Sequence, residues 1–172
     1  MRRLPCVVSH SMNDLERLRD QLRAFAAERD WDQFHSPKNL AMALSVEASE
    51  LVEIFQWLTE AQSRELSPAA LAAARDWAQF HSPKNLAMAL SAEAAELLEI
   101  FQWLTEEQSR GLSPEAKAAA GEEVADVLLY LVRIADQLGI DPVEAARAKL
   151  AANARKYPVE KARGTSKKYT EL

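Results

Sequence analysis

The chain contains nearly the same 40 residues twice. Residues 29–68 and residues 75–114 are identical at 34 of 40 positions, so the repeat has a period of 46 residues. Two copies are too few to stack as a solenoid, and nothing else in the chain is duplicated. Residues 68–75 resemble a hybrid of the segment after the second copy and the segment before the first. The pattern indicates a recent duplication, so one fold has to accommodate two nearly identical units.

Composition favours helices over the whole chain. Ala, Leu and Glu are abundant, only four of the 172 residues are Gly, and no stretch alternates apolar and polar residues as a half-buried strand would. Hydrophobic residues make up 48% of the chain, which is enough for the core of one domain of ordinary length. We therefore expect residues 1–172 to form a single all-α domain, a bundle in which an acid-bearing helix is duplicated.

Several helix starts carry local signals. Asn13 and Glu16 make a capping box ahead of apolar residues at helical spacing, which predicts a first helix from about 14 to 28. Gly139 is suited to end a helix in the left-handed conformation. An N-cap residue followed by a proline predicts helix starts at Ser36-Pro37, Ser67-Pro68, Ser113-Pro114 and Asp141-Pro142. The helix that begins at Pro37 is expected to reach about Thr59.

The C-terminal end is predicted to differ from the body. Tyr157-Pro158 should stop the last helix, and residues 159–172 then have the pattern of an extended or loosely ordered basic arm. Residues 147–172 carry eight Lys or Arg against two Glu, although the net charge of the whole chain is −5. An acidic body with a basic tail fits a site that handles a metal and phosphates together. It equally fits a solvated tail or a weak nucleic-acid arm.

Other classes of protein are disfavoured. A single cysteine, Cys6, excludes an internal disulfide framework, and the apolar run near the start is too short for a signal peptide. No segment has the roughly 18 consecutive apolar residues of a membrane helix. His10, His35 and His81 lie outside the acid-bearing helices, which argues against a di-iron bundle. We expect a cytoplasmic protein that binds neither a membrane nor a nucleic-acid polymer.

Paired carboxylates on apolar helices are the candidate functional groups. Glu123 and Asp126 are three residues apart, so on a helix they lie within roughly 60° of each other, beside a stripe of Val and Leu. Each copy of the repeat supplies a second pair with the same spacing: Glu47 with Glu50, and Glu93 with Glu96. Two facing pairs would offer the oxygen ligands that Mg²⁺ prefers. Spacing alone leaves a metal site and a solvated acidic face open.

Several motifs occur in a specific order once one copy is set aside. They are Glu47-x-x-Glu50-Leu, Phe55-Gln-Trp57, Glu123-x-x-Asp126-Val-Leu-Leu-Tyr130, Asn153-x-x-Lys156-Tyr-Pro and Lys167-Lys-Tyr-Thr-Glu-Leu. Over about residues 14–172 the chain thereby resembles the dCTP pyrophosphatase branch of the MazG-like, all-α nucleoside triphosphate pyrophosphohydrolases. The resemblance implies Mg²⁺-dependent hydrolysis between the α and β phosphates, to a nucleoside monophosphate and pyrophosphate. It also implies a homo-oligomer, either a dimer or a dimer of dimers.

The resemblance also implies roles for individual residues. The acids that would hold Mg²⁺ and carry catalysis are Glu93, Glu96, Glu123 and Asp126, with Glu47 and Glu50 as the alternative pair. Aromatic residues at positions around the base are Trp31 or Trp77, Trp57 or Trp103, and Tyr130; for each Trp the alternative is core packing. Residues at positions near the phosphates and sugar are Lys149, Asn153, Lys156, Lys167 and Tyr169, and for the two tail lysines a solvated position is the alternative.

Only one of the two Glu-x-x-Glu pairs can face Glu123 and Asp126 in a given site. Glu96 precedes Glu123 by 27 residues, which leaves room for a helix end, a loop and a return, whereas the first copy would have to loop out residues 61–112. The first copy, however, keeps the direct connection to the first helix. We expect the second copy, with Trp77 and Trp103, to occupy the site. The first copy should extend the bundle or dock against another subunit, because its apolar face has to be buried.

Two other functions stay open on the sequence. One is a broader house-cleaning enzyme for non-standard nucleotides, which would use the same chemistry. The other is a helical protein that binds a nucleotide or a partner without turnover, because the duplication has broken the active assembly.

Overall fold

The computed structural model of the chain describes residues 13–65 and 82–172. Within these two ranges the chain is helical and contains no strand, which confirms the all-α prediction. The α-helices of the described residues are α1 (Asp14–Glu28), α2 (Pro37–Phe55), α3 (Glu60–Glu65), α4 (Pro83–Glu99), α5 (Glu106–Arg110), α6 (Pro114–Leu138), α7 (Pro142–Lys156) and α8 (Val159–Ala162). None of the described helices is long and apolar enough to cross a membrane.

The predicted capping signals are confirmed at several helix ends. At the start of α1 the Asn13 side chain accepts a hydrogen bond from the Glu16 N–H at 2.9 Å, and the Glu16 carboxylate accepts one from the Asn13 N–H at 2.8 Å. Ser36 and Ser113 cap α2 and α6 in the same manner, each ahead of a proline. Gly139 ends α6 with a φ of 66°, in the left-handed region that glycine tolerates.

Two helix predictions need comment. The prediction that α2 reaches Thr59 is wrong by four residues, since α2 ends at Phe55. The physical reason is that Thr59 caps α3, because its hydroxyl accepts a hydrogen bond from the Gln62 N–H at 3.2 Å. The helix start predicted at Ser67-Pro68 lies outside the described residues.

The chain divides into two compact units. The terminal unit contains the N-terminal residues to Trp31 together with Val143–Leu172, and the central unit is Asp32–Pro142. The central unit therefore holds both acid-bearing helices of the repeat and α6. The terminal unit holds α1, most of α7 and the basic end of the chain.

Arg29 connects the two ends of the chain within the terminal unit. Its side chain is buried, its Nε donates to the Tyr157 carbonyl at 2.8 Å, and its guanidinium lies 3.8 Å from the centre of the Phe25 ring. Its own carbonyl accepts a hydrogen bond from the Gly164 N–H at 2.8 Å. A buried guanidinium is stable only when its donors are bonded, so Arg29 fixes the last residues of the chain against α1.

The C-terminal end is therefore not the extended or loosely ordered arm that was expected for residues 159–172. Val159–Ala162 forms α8, and Tyr169–Glu171 forms a 3₁₀ turn. The Trp31 Nε1 donates to the carbonyls of Ala162 and Thr165, each at 3.0 Å. These partners are more than 130 residues from Trp31 along the sequence, so local sequence patterns do not report them.

In the central unit the two copies of the repeat pack against each other as antiparallel helices. The N-terminal part of α2, at Ala41, contacts Phe101 after the end of α4, whereas Phe55 at the end of α2 contacts Leu86 near the start of α4. Small residues at the crossing, Ala48 and Ala94, are buried and let the two helices approach closely.

The hydrogen bonds between the copies are reciprocal. The Lys38 Nζ donates to the Leu104 carbonyl at 2.6 Å, and 46 residues later the Lys84 Nζ donates to the Leu58 carbonyl at 2.8 Å. In the same way the N–H groups of these two lysines donate to the hydroxyls of Ser109 and Ser63, both buried. Each contact from the first copy to the second thus has an equivalent contact from the second copy to the first. This reciprocity is expected of two units related by a two-fold axis. The repeats form a pseudo-symmetric pair inside one chain.

Helix α6 breaks this pseudo-symmetry because it packs beside α4. Its Ile134 contacts Leu86, its Val127 belongs to a buried cluster with Leu90, and its N-terminal part at Ala120 packs near Phe101. The order of these contacts makes α4 and α6 antiparallel. Tyr130 of α6 also packs against the two clusters that include residues of α2. Because α2 and α6 both pack on α4, α4 lies between these two helices.

The pseudo-symmetry predicts equal effects of two substitutions. Lys38→Met and Lys84→Met each remove a charge-assisted bond to carbonyls that lie just beyond the acid-bearing helix of the other copy, so each should lower the free energy of unfolding by about 1–2 kcal/mol. Urea denaturation provides the measurement, and Lys117→Met, at an exposed position on α6, is the control with an expected change within about 0.5 kcal/mol. A large effect at one lysine and none at the other would contradict the reciprocal arrangement.

Candidate metal centre

Three carboxylates meet where α4 and α6 lie side by side. Glu93 of α4 and Glu123 and Asp126 of α6 each offer one oxygen atom, and these atoms all lie within 4.8 Å of one another. The neighbouring Ala94 and Val127 belong to one buried cluster, so the packing of the two helices fixes the backbone from which the acids project. The acids stand at the edge of the core.

The cluster is electrostatically unfavourable for three ionised carboxylates. Burial, followed by the negative charges of Glu96, Asp126 and Glu123, raises the pKa of Glu93 above its usual range. The pKa of Glu123 is also raised, first by burial and then by Glu96, Asp126 and Glu122. None of the charged groups that shift these two pKa values is a cation. A proton or a divalent cation would relieve the repulsion.

The donor set suits a hard divalent cation. Mg²⁺ is held in proteins by one or a few carboxylates, and it usually keeps several waters for a ligand such as a triphosphate. Glu93, Glu123 and Asp126 supply oxygen atoms alone, close enough together to share one ion. Glu96 lies one turn further along α4, is exposed, and is near enough to raise the pKa of Glu93 and of Glu123. The four acids named by the sequence therefore lie in one region.

The acids of the first copy lie elsewhere on the repeat pair. Glu47 and Glu50 are exposed on α2, whereas α6 packs beside α4. Leu104, which follows α4, is bonded to Lys38 at the start of α2. Only residues 111–113 lie between α5 and α6, so α6 begins near the end of α4 and runs back along it.

The aromatic candidates fall into different environments. Trp57 and Trp103 occupy equivalent places after α2 and α4, and each is 87% exposed. Tyr130 is half-buried and packs within the core of the central unit, beside residues of α2 and α4. Trp31 lies in the terminal unit, where its ring packs edge-on against Phe25 and Tyr157. The remaining candidate, Trp77, lies outside the described residues.

The candidate phosphate and sugar ligands all belong to the terminal unit. They are Lys149, Asn153, Lys156, Lys167 and Tyr169. The Lys156 Nζ lies 5.1 Å from the centre of the Tyr169 ring, and Tyr169 packs edge-on against Tyr157. Lys156 and Lys167 are exposed. Both ammonium groups are accessible to an anion, and the contact with the Tyr169 ring positions that of Lys156.

Sequence analysis does not single out Glu122. Its charge contributes to the raised pKa of Glu123, although Glu122 itself is exposed. The signal was the adjacent Glu122-Glu123 pair, which adds a negative charge next to the candidate ligand. Sequence analysis likewise does not single out Lys38 and Lys84, whose only signal is their identical place after Ser-Pro in both copies.

The fold and the cluster define a class: an all-α bundle protein in which two antiparallel helices bring carboxylates together. The MazG-like family model matches residues 88–172, which include α6 and the part of α4 from Met88 to Glu99. The chain is 48% identical over 167 residues to dCTP pyrophosphatase 1 of Homo sapiens, 45% over 162 residues to that of Bos taurus and 43% over 162 residues to that of Rattus norvegicus. Each comparison covers 94% of this chain and 68% of the relative. The chain belongs to the MazG-like family.

The raised pKa values predict a pH dependence of stability in metal-free protein. A carboxyl whose pKa is raised on folding binds its proton more tightly in the folded state, so its contribution to stability is present below the ordinary pKa of 4.5 and is lost as pH rises through the folded pKa. Glu93→Gln removes one such group. The variant should match wild type near pH 4 and become more stable than wild type as pH rises towards 8.

Thermal denaturation in the presence of EDTA measures this difference. Glu47→Gln, the equivalent change in the first copy, is the matched control because Glu47 is exposed on α2, and the pH-dependent gain of Glu93→Gln should exceed that of the control. A Glu93→Gln variant that is less stable than wild type at pH 8 would contradict the proposed repulsion.

Proposed function

We propose that this chain is a Mg²⁺-dependent nucleotide pyrophosphohydrolase that converts dCTP, or a related pyrimidine deoxynucleoside triphosphate, to the monophosphate and pyrophosphate. The observation that carries the proposal is the carboxylate cluster of Glu93, Glu123 and Asp126. The high identity to proteins named dCTP pyrophosphatase 1 supports the substrate. The raised pKa of two of the acids supports binding of a cation, which would offset their mutual repulsion.

The chain's own residues would divide the work as follows. Glu93, Glu123 and Asp126 would hold Mg²⁺, which when bound would neutralise charge on the triphosphate and polarise the α phosphorus. Glu96, exposed one turn away from Glu93, orients the attacking water and accepts its proton. No side chain is required as a nucleophile, so the chemistry is positioning and electrostatic stabilisation.

The base and the phosphates require further groups. Trp103 follows the helix that carries Glu93 and is almost fully exposed, so its ring is free to stack on a pyrimidine. Trp57 has the same exposure in the first copy and is its alternative. Lys149, Asn153, Lys156, Lys167 and Tyr169 are proposed for the phosphates and sugar. A homo-oligomer, either a dimer or a dimer of dimers, and a cytoplasmic location belong to the same proposal.

Pyrophosphate release from a panel of nucleoside triphosphates tests the proposal. We expect Mg²⁺-dependent release that is fastest with dCTP or a close pyrimidine analogue and that stops when EDTA is added. Similar rates for many non-standard nucleotides would instead indicate a broad house-cleaning enzyme. No release from any triphosphate, with the protein folded, would contradict the proposal and favour a binding protein impaired by the duplication.

Paired substitutions in the two copies test which pair of acids is needed for catalysis. Glu93→Gln/Glu96→Gln should lower kcat on the order of 10²-fold or more, because it removes a ligand and the group assigned to the water. Glu47→Gln/Glu50→Gln is the matched control at equivalent positions and should leave kcat unchanged. The measurement is the steady-state rate of pyrophosphate release with dCTP and Mg²⁺. The reverse pattern would assign the site to the first copy.

Substitution of the tail lysines Lys156 and Lys167 should change the KM for the triphosphate. Lys156→Met and Lys167→Met should each raise KM for the triphosphate several-fold with little effect on kcat, if their ammonium groups neutralise phosphate charge. Lys161→Met, an exposed change on α8, is the control. Point substitutions are preferable to truncation after Pro158, because truncation removes the carbonyls that Trp31 binds. An unchanged KM in both variants would leave the two lysines as solvated residues.

A further inference from the structure

Trp103 and Trp57 lie in short turns after the two acid-bearing helices. The Trp103 turn (residues 102–104) lies between α4 and α5, and the Trp57 turn (residues 56–58) lies between α2 and α3. Each side chain is 87% exposed, so packing around the ring contributes little to its position. The position of each indole therefore depends mainly on the backbone of its turn.

Lys38 of the first copy bridges the Trp103 turn. Its Nζ donates to the Gln102 carbonyl at 3.2 Å and to the Leu104 carbonyl at 2.6 Å. These two carbonyls belong to the residues on either side of Trp103. An ammonium group has three N–H donors, and hydrogen bonds from an ionised donor are about twice as strong as neutral ones. Because two of its donors are used on one turn, Lys38 restrains the backbone that carries the indole.

The start of α2, which carries Lys38, is itself held against the second copy. The Lys38 N–H donates to the hydroxyl of Ser109 at 3.4 Å, and Ser109 is buried. The next residue, Asn39, donates from its side-chain amide to the Glu106 carboxylate at 3.2 Å. Since the backbone at Lys38 is held in this way, its ammonium group reaches the Trp103 turn from a fixed point.

Lys84 of the second copy makes the equivalent bridge at the other end of the repeat pair. Its Nζ donates to the Gln56 carbonyl at 3.3 Å and to the Leu58 carbonyl at 2.8 Å, on either side of Trp57. The two bridges therefore use the same chemistry, and they differ in their distance from the acid cluster.

The Trp103 turn lies near the end of α6 that carries the acids. Phe101, which directly precedes this turn, belongs to a buried cluster against which Ala120 of α6 packs. Ala120 is three residues from Glu123, which corresponds to a rise of about 4.5 Å along the helix. The base of the Trp103 turn is thus at nearly the same height along α6 as the candidate metal centre.

The Trp57 turn lies further along α6. Phe55, which directly precedes it, shares a buried cluster with Ile134 of α6. Ile134 is eight residues from Asp126, the nearer of the two α6 acids, which corresponds to a rise of about 12 Å. Of the two exposed tryptophans, Trp103 is therefore the one placed closer to the acid cluster along α6.

We propose that Lys38 is a positioning residue for nucleotide binding, because it holds the Trp103 turn so that the indole is presented to the base of the triphosphate. The inference rests on the proposed function, since it requires a nucleotide whose base stacks on Trp103. It gives the first copy a role in the site although its own acids lie elsewhere. An ordered aromatic surface costs less to fix when the nucleotide binds, so loss of Lys38 should weaken binding rather than slow turnover.

Steady-state pyrophosphate release from dCTP with Mg²⁺ tests the role of Lys38. Lys38→Met should raise KM about 5-fold and leave kcat within about 2-fold of wild type. Lys84→Met is the matched control, because it loses the equivalent bridge at the Trp57 turn, and its KM should stay within about 2-fold of wild type. Lys38→Arg should keep most of the wild-type affinity, because a guanidinium can also donate to two carbonyls.

A double-mutant cycle shows whether Lys38 acts through Trp103. Trp103→Ala should raise KM on the order of 10-fold, because the base loses its stacking surface. In that background Lys38→Met should change KM by less than about 2-fold, since the group that it positions has been removed. Independent effects of the two substitutions would overturn the proposal. So would a KM in Lys38→Met that equals that of Lys84→Met.

Two further readouts separate this proposal from the proposed activity. Fluorine NMR of protein labelled with fluorotryptophan, with the Trp103 resonance assigned by Trp103→Phe, should show that resonance shifted in Lys38→Met and unchanged in Lys84→Met. An unchanged Trp103 resonance in Lys38→Met would overturn the proposal even in an active enzyme. If wild type releases no pyrophosphate, the proposed activity fails, and the same cycle is measured with the dissociation constant of dCTP in the presence of Mg²⁺. Coupling between Lys38 and Trp103 in that constant would support the positioning role, and no binding of dCTP would overturn it.

Discussion

Packing of α4 between α2 and α6 is the interaction on which the central unit depends. Ala87 and Ala94 of α4 are completely buried, and Leu86 and Leu90 fill the contact with α6. Because interiors are close-packed, this contact fixes the rotation and height of α4 relative to its neighbours. The same contact therefore fixes the positions of the carboxylates that lie beside it. A cavity at Leu86 would loosen α4 from both Phe55 and Ile134, so the fold and the acid cluster share one determinant.

The same packing imposes an electrostatic cost. Partial burial, followed by the charges of neighbouring carboxylates, raises the pKa of Glu93 and Glu123, so keeping these two acids ionised opposes folding when no cation is bound. Glu47 and Glu50 occupy the equivalent positions on α2 and are exposed, whereas α6 packs beside α4.

Much of the fold follows from local patterns in the sequence. The capping box at Asn13, the Ser-Pro starts and Gly139 give helix bounds within a few residues, because these signals act over one turn. The preference of α6 for the second copy follows from chain connectivity. What the sequence does not reveal depends on distant partners. Trp31 matches a base-contact position yet donates to carbonyls of the C-terminal segment, and the basic end is ordered by Arg29 rather than by its own pattern. The metal-binding role of the acids stays a prediction.

We propose that one cation site forms between α4 and α6 and that no equivalent site forms at Glu47 and Glu50 of the first copy. Anomalous diffraction from a crystal grown with Mn²⁺ in place of Mg²⁺ tests this claim most directly, because it locates the ion without reference to activity. We expect an anomalous peak in contact with Glu93, Glu123 and Asp126 and none beside Glu47 and Glu50. A peak at Glu47 and Glu50 with none between α4 and α6 would contradict it.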